Sequence, residues 1–298
     1  MEIIKELKKL KCGKVIKHPV MKNYTTYKVG GKVTAIIYPT DIDCLIRLLK
    51  FLQNNDYVYK ILGNGSNVIF KDCSYNLVII KLTCFDKIKI TGNTLEVGAG
   101  YNLIALSLKA LRASLTGLEF ASGIPGTVGG AVFMNAGAYK SDMGYIVTQI
   151  KVLNPAFKVE IFTNDMLNFH YRTSFLKTHP DYICLEVTIK LRRGHYEAIK
   201  EVIIDRKGRR LASQPLNFPS AGSVFRNPDG YFAGKLIEDI GYKGKMIGGA
   251  LVSLKHANFI VNANNASGED IIALINLIKK KVKEEYDIDL YVEQEIIK

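Results

Sequence analysis

Three glycine-bearing segments hold the residue types best suited to chemistry, and that chemistry is the gripping of an anion by backbone. Gly63-Asn64-Gly65-Ser66-Asn67 sets small residues in a row. Such residues accept the tight, left-handed conformations in which successive N–H groups point at one spot. Ser122-Gly123-Ile124-Pro125-Gly126-Thr127-Val128-Gly129-Gly130-Ala131 has the same potential, and Asn135-Ala136-Gly137-Ala138-Tyr139 adds a third segment. Residues 117–137 hold six of the 25 glycines, where even spreading would put about two. One such loop is as well explained by a turn. Three within residues 63–137 point to a ligand that backbone approaches closely, and a diphosphate joined to a flat ring meets that description.

Two familiar phosphate motifs are excluded. Gly63-x-Gly65-x-x-Val68 lacks the third glycine of a dinucleotide fingerprint, and strand-like residues follow it where a helix is needed. Gly230-x-x-x-Gly234-Lys235-Leu236 is one residue short of a P-loop and has no Ser or Thr after the lysine. The five histidines (His18, His170, His179, His195, His256) show no ligand-pair spacing, so no metal site is expected. The five cysteines (Cys12, Cys44, Cys73, Cys84, Cys184) form no C-x-x-C pair, and their odd number and wide spacing fit reduced thiols.

The elements that must position these loops follow from periodicity. Residues 33–38 read as a strand, and Asp41 is placed to cap a helix whose Ile42, Leu45, Ile46, Leu49 and Leu52 share one face. Residues 57–62 form a strand that runs straight into Gly63; 68–70 and 77–81 follow as short strands, giving a small α/β unit over 20–81. Short strands at 88–91 and 94–97 precede a helix with Leu103, Ile104, Leu106, Leu108 and Leu111. Strands near 148–153 and 182–191 bracket residues 168–178, and a helix covers 196–211. A third region begins near Arg206 with the loop 214–223, a helix around 232–240 stopped at Gly241, and strand-like residues over 250–261. Ser267-x-x-Asp270 caps an amphipathic helix carrying Ile271, Leu274, Ile275, Ile278 and Val282, and a strand over 290–297 closes the chain. Helices and strands mix without a strict βαβ rhythm, so the fold class expected is α+β.

At 298 residues, two or three domains are expected, and 48% hydrophobic with 23% charged residues is ordinary globular usage. No apolar run approaches the roughly 20 residues of a membrane helix, and lysines interrupt the apolar positions of the first ten residues, so a cytoplasmic protein is expected. Lys and Arg exceed Asp and Glu by 41 to 28, giving +13. That balance suits a phosphorylated ligand, nucleic acid or an anionic surface. It is spread diffusely, with no aromatic-interleaved basic stripe, so neither a nucleic-acid nor a membrane partner is expected.

Thr25-Thr26-Tyr27-Lys28-Val29-Gly30-Gly31, the loop 62–67, residues 117–132 and residues 135–139 resemble the flavin-binding half of the UDP-N-acetylenolpyruvoylglucosamine reductase (MurB) family. Tyr171-Arg172-x-Ser174, Ala221-Gly222-Ser223-Val224-Phe225-Arg226-Asn227-Pro228, Lys255-His256-Ala257-Asn258-Phe259-Ile260-Val261-Asn262 and Leu290-x-x-Glu293 extend the likeness in family order, in the shorter family form. The resemblance implies a two-part FAD-binding fold of the vanillyl-alcohol-oxidase type plus a third, α+β substrate-binding domain. The boundaries expected are 1–82, 83–205 with the terminal strand 288–298, and 206–287. It implies non-covalent FAD, NADPH as hydride donor and a monomer. The reaction implied is reduction of UDP-N-acetylglucosamine enolpyruvate to UDP-N-acetylmuramate, in peptidoglycan synthesis.

The likeness assigns Gly63, Asn64, Gly65, Ser66, Asn67, Gly123, Ile124, Pro125, Gly126, Gly129, Gly130, Ala131, Asn135 and Gly137 to the cofactor. Arg172 then stabilises the enolate, for which a bidentate, permanently charged guanidinium is suited; outside that motif it would read as a surface ion-pair residue. Ser223 is implied as the proton donor, although a hydroxyl is a weak acid and a loop serine is the plainer reading. Glu293 is implied as the catalytic carboxylate, with Glu295 the nearby alternative; ionised, it would repel the enolate, so it is expected to hold a proton when substrate is bound. Tyr171, Asn227 and Lys255 are implied in binding nicotinamide or the substrate diphosphate. Tyr139 could pack or contact flavin, and His256 reads as structural. A flavin oxidase of the same cofactor fold, a flavoprotein retained only for binding, and a colourless basic nucleic-acid-binding protein are the competing readings.

Overall fold

The computed structural model describes residues 2–297, which fold as two compact units. The first takes residues up to 17, 34–64 and 76–208; the second takes 18–33, 65–75 and the described residues from 209 on. The architecture is α+β.

In the first unit, four strands lie in the order Gly13–Lys17, Val33–Pro39, Tyr75–Ile80, Tyr59–Ile61. The helix Ile42–Asn54 starts where Asp41 accepts from Cys44 N at 2.7 Å, and it buries Leu45, Leu48, Leu49 and Leu52. Those leucines pack with Ala35, Ile37, Val78 and Ile80, and each such burial contributes about 1.5–3 kcal/mol. A second, wholly antiparallel sheet runs Val159–Thr163, Val147–Leu153, Ile183–Lys190, Thr94–Gly98, Ile88–Thr91. Its core joins Val97, Ile150, Val152 and Val187 to the helix Leu103–Arg112 and the short helix Val128–Phe133. This core underlies the glycine-rich loop that precedes Val128.

The second unit is organised on the helix Gly268–Tyr286, which buries Ile271, Leu274, Ile275, Ile278 and Val282. A three-stranded antiparallel sheet (Met246–Ile247, Ala250–Val252, Ile260–Asn262) and the helix Ala233–Asp239 pack on the same core, together with Tyr27, Val224 and Phe225. Gly241, at φ +72°, follows that shorter helix. The expected continuous 250–261 segment is two strands, because residues 253–259 leave the sheet in a loop pinned by Ser253 Oγ, which accepts from Lys255 N and His256 N.

The end of the chain differs from expectation. The sequence places the terminal strand with residues 83–205, and Val68–Phe70 with the α/β unit of 20–81. Instead Glu295–Ile297 pairs in parallel with Val68–Phe70, both within the second unit. Ile69 and Phe70 are fully buried by this pairing and its surroundings, and a parallel partner so distant along the chain leaves no local signal in sequence.

The basic run at the end of the long helix is ion-paired: Lys280 and Lys281 with Glu284, Lys281 with Glu285, and Lys283 with Asp287 and Asp289. All five cysteines are free thiols. Among the described residues no helix is long and apolar enough to cross a membrane, and no cluster of three His, Cys, Asp or Glu could hold a metal.

Ser267 and Asp270 form a reciprocal cap: Asp270 N donates to Ser267 Oγ at 3.0 Å and Ser267 N to Asp270 Oδ2 at 2.9 Å. The bond from Ser267 N, joined by one from Gly249 N, holds the Asp270 carboxyl below the usual carboxylate range. A lowered folded-state pKa contributes stability above the unfolded value, which is lost as pH falls through the folded one. Ser267→Ala should therefore cost about 1 kcal/mol in urea unfolding at neutral pH. Asp270→Asn should flatten the decline of stability on acidification below about pH 4.

Candidate active site

The strand Tyr59–Ile61 delivers the chain to Gly63, and Leu62 N donates to Ile80 O at 2.9 Å. Beyond that bond the loop changes character. The N–H groups of Gly63, Asn64, Gly65 and Ser66 donate to no protein acceptor among the described residues. Gly65, at φ +66°, is buried, so its N–H is a donor withheld from bulk water. The division between the two units falls inside this loop, after Asn64.

Each half of the loop is wedged. In the first unit, a Cβ on Gly63 would lie 2.7 Å from Thr127 Oγ1, so Gly63 packs directly on the second glycine-rich loop. Lys81, 8% exposed, donates from Nζ to Gly63 O at 2.6 Å. Burial pushes its ammonium below the usual lysine range. Sequence reasoning passed over Lys81; a lysine closing the apolar strand 77–80 was the available signal. In the second unit, a Cβ on Gly65 would lie 2.4 Å from Tyr24 O, and Gly65 O accepts from Thr26 N at 3.1 Å.

The second loop spends more of its donors internally. Thr127 caps the helix Val128–Phe133 by accepting from Gly130 N, while Val128 N bonds Tyr101 O and Gly129 N bonds Ala99 O at 2.8 Å. Ala131 N bonds Thr127 O, leaving only Gly126 and Thr127, among residues 126–131, with N–H groups not committed to protein acceptors. Gly129 is required by contact: its Cβ would meet Ala99 Cβ at 2.8 Å. Upstream, the 8% exposed Glu119 carboxylate accepts from Thr116 Oγ1 and Gly117 N, which fixes the turn leading to Gly123, Ile124 and Pro125.

Asn135, 2% exposed at φ +42°, uses both ends of its amide on protein: Nδ2 donates to His170 O at 3.0 Å and Oδ1 accepts from Gly144 N at 2.9 Å. Gly137 sits in the tight hairpin with Ser141 and Asp142. Tyr139 donates its hydroxyl to Arg206 O, and its ring lies 4.9 Å under the Arg206 guanidinium.

Asn135 thereby braces the turn that carries Arg172. His170 and Thr173 exchange both backbone bonds (3.0 and 3.1 Å), leaving Tyr171 and Arg172 at the tip. Arg172 takes φ +57°, uncommon for a residue with a side chain. The turn is held on three sides, by Asn135, by Lys177 Nζ on Arg172 O, and by the buried Ser174 hydroxyl on Phe133 O at 2.9 Å. The Arg172 guanidinium lies 5.2 Å from the Tyr171 ring centre, and Tyr171 is exposed.

In the second unit, Ser223 and Glu293 are brought together through main chain. Glu293 N donates to Val224 O at 2.8 Å, Asn67 Nδ2 donates to Glu293 O at 3.3 Å, and Gln294 Nε2 donates to Ser223 O at 3.3 Å. Asn258 accepts from Val224 N and Phe225 N and donates to Phe225 O, so residues after Ser223 are fixed. His256 Nδ1 accepts from Asn258 N; burial foremost, with Lys243 nearby, holds this imidazole below its usual range. Asn227 Oδ1 accepts from Ala233 N, at the start of the helix Ala233–Asp239. Lys255 donates to Leu211 O. Gln294 has no sequence signal beyond polarity, and Asn258 lies in the 255–262 segment that carries the family resemblance but has no assigned role there.

A diphosphate needs clustered donors and no side chains in the way. Within the first unit, the uncommitted N–H groups of Gly63 and Asn64, with those of Gly126 and Thr127 on the loop that Gly63 packs against, are donors of that kind.

Comparison with known proteins agrees with this geometry. An FAD-binding-domain family model matches residues 33–159, which include both glycine-rich loops. The C-terminal-domain model of UDP-N-acetylenolpyruvoylglucosamine reductase matches residues 214–297. The protein is thus a flavoprotein oxidoreductase with an FAD-binding domain. A reductase of that name from Alkaliphilus oremlandii (strain OhILAs) is 45% identical over 278 residues, 93% of this chain and 91% of that one. Its counterpart from Bacillus subtilis (strain 168) is 40% identical over 99% of this chain and 98% of its own. The crystal structure of UDP-N-acetylenolpyruvylglucosamine reductase from Thermus caldophilus superposes with a TM-score of 0.83 at 34% identity, over 96% of this chain and 99% of that one. The chain belongs to the UDP-N-acetylenolpyruvoylglucosamine reductase family.

Gly65→Ala should lower the flavin-to-protein ratio of the purified protein and destabilise it by more than about 2 kcal/mol, since a left-handed φ and a backbone clash combine. Gly230→Ala, at φ +76° with nothing within 4 Å of the added carbon, should cost only the left-handed strain, about 1–2 kcal/mol, and keep its flavin. Visible absorbance and urea unfolding of the two variants read the difference.

Proposed function

We propose that this protein reduces the enolpyruvyl ether of UDP-N-acetylglucosamine to the lactyl ether of UDP-N-acetylmuramate with NADPH, a cytoplasmic step of peptidoglycan synthesis. The observation that carries the reading is the joining of the Ser223 turn to the Glu293 segment by the 2.8 Å bond from Glu293 N to Val224 O. It makes backbone neighbours of the segments holding the two residues to which the family likeness gives the proton donor and the catalytic carboxylate.

FAD, when bound, would supply the two electrons as a hydride. When hydride reaches the β-carbon, negative charge builds on the α-carbon and its carboxylate. Arg172 is suited to that carboxylate: its guanidinium stays charged, presents a planar fork, and is carried on a turn that cannot relax away. The Ser223 Oγ–H gives its proton to the α-carbon. Glu293, protonated while substrate is bound, adds a donor without repelling the enolate. Lys255, Asn227 and Tyr171 serve the phosphorylated part of the substrate or the nicotinamide. The excess of 41 basic over 28 acidic residues favours such anionic ligands.

Anaerobic absorbance separates the two half-reactions. NADPH should bleach the visible flavin band, and UDP-N-acetylglucosamine enolpyruvate should restore it. Restoration by oxygen but not by that substrate would favour a flavin oxidase; no response to NADPH would favour a binding protein. Arg172→Ala should slow the restoration by about 10²–10³-fold. Glu293→Gln should remove one limb of its pH–rate profile, and an unchanged profile would discard the protonated-Glu293 assignment.

A further inference from the structure

The turn that carries Ser223 is built around one buried side chain. Gln294, 3% exposed, directs Nε2 at the carbonyl oxygens of Ala221 (3.1 Å), Gly222 (3.1 Å) and Ser223 (3.3 Å). Its Oε1 accepts from the Tyr27 hydroxyl at 3.1 Å, and Tyr27 is fully buried. The three carbonyl oxygens can only accept, so the NH₂ group must face the turn, and the amide oxygen then takes the Tyr27 hydroxyl proton. Gly222, at φ +76°, permits the successive carbonyls to converge.

Convergence has a consequence on the opposite side. In a trans peptide the C=O and N–H of one unit point in opposite directions, and no peptide bond here is cis. Drawing the Ala221 and Gly222 carbonyls toward Gln294 therefore sends the N–H groups of Gly222 and Ser223 away from it. Neither donates to a protein acceptor among the described residues, whereas the next two N–H groups, of Val224 and Phe225, are both taken by Asn258. Both residues are only half-buried, so their N–H groups are within reach of a ligand.

We propose that Gln294, locked by Tyr27, is the positioning residue that aims the Gly222 and Ser223 N–H groups as a preorganised donor pair for the carboxylate of the enolpyruvyl substrate. The inference rests on the reading of Ser223 as proton donor. A carboxylate has about four acceptor positions, enough to take both N–H groups. Donors fixed before charge develops need no reorganisation as it does. The same tether sets the backbone of the serine whose proton is transferred, so one side chain governs both functions of the turn.

Gln294→Met keeps the length and removes both sets of bonds; Tyr27→Phe removes only the lock on the amide. Each is measured as FAD-loaded holoenzyme beside Ser223→Ala. Gln294→Met should slow flavin reoxidation by UDP-N-acetylglucosamine enolpyruvate about 10²-fold, and Tyr27→Phe about threefold to tenfold. Bleaching by NADPH should stay within about twofold in both, since hydride uptake does not use the turn. Equal losses in both half-reactions, or no loss in the second, overturn the proposal. If Gln294→Met does not retain FAD, Tyr27→Phe decides: normal rates in both half-reactions overturn it. A slow Ser223→Ala beside a normal Gln294→Met removes the role of Gln294 alone. A normal Ser223→Ala removes the reading on which it rests.

Discussion

Backbone N–H groups are strong donors that a folded chain does not leave idle out of water, and among the described residues those of 63–66, with Gly65 buried, meet no protein acceptor. Much around them serves to keep them so. Gly63 has no room for a side chain because Thr127 is there, and Gly65 none because Tyr24 O is there. Lys81 takes the Gly63 carbonyl, which turns that peptide's acceptor inward and adds a buried positive charge close by. A loop so constrained cannot satisfy its donors by collapsing on itself. An anionic ligand would satisfy them, and residues 33–159 match an FAD-binding domain, a class whose cofactor carries a diphosphate.

Two other turns repeat the same physical device with side-chain amides. Asn135 braces the Arg172 turn from within the first unit, and Gln294 with Asn258 braces the Ser223 turn from within the second. In each case a buried amide, satisfied at both ends, holds a backbone segment that local propensity alone would not fix. The Arg172 backbone sits at a positive φ, and such strain persists only where neighbours over-determine it. A rigid backbone under a charged side chain is what catalysis by electrostatic preorganisation requires.

What sequence could reveal follows from range. Caps and periodic helices were legible because their determinants lie within four residues: Asp41 caps Ile42–Asn54, and Ser267 with Asp270 caps Gly268–Tyr286, as their spacing predicts. Glycine density marked both donor loops, since close approach of backbone leaves glycine as its trace. The commitment of the 128–131 N–H groups to Tyr101, Ala99 and Thr127 was not legible, because helix capping and anion binding ask for the same residues. The pairing of Glu295–Ile297 with Val68–Phe70 was missed, and the terminal strand assigned elsewhere, because parallel partners so distant share no turn between them. Gln294 was invisible for a different reason: among alternating residues of a terminal strand, a polar side chain reads as solvent-facing until its partners Tyr27, Ala221 and Gly222 are known.

The central claim is that uncommitted backbone donors hold a flavin through its diphosphate. Titration of flavin-stripped protein with FAD and with riboflavin, followed by flavin fluorescence, tests it directly, because the two share the ring and differ in the diphosphate and adenosine. The account predicts FAD binding at least about 100-fold tighter than riboflavin, as several charge-assisted bonds at roughly 1.5–3 kcal/mol each would give. Equal affinity for the two would mean that the ring alone is recognised, and the role assigned to residues 63–66 would be wrong.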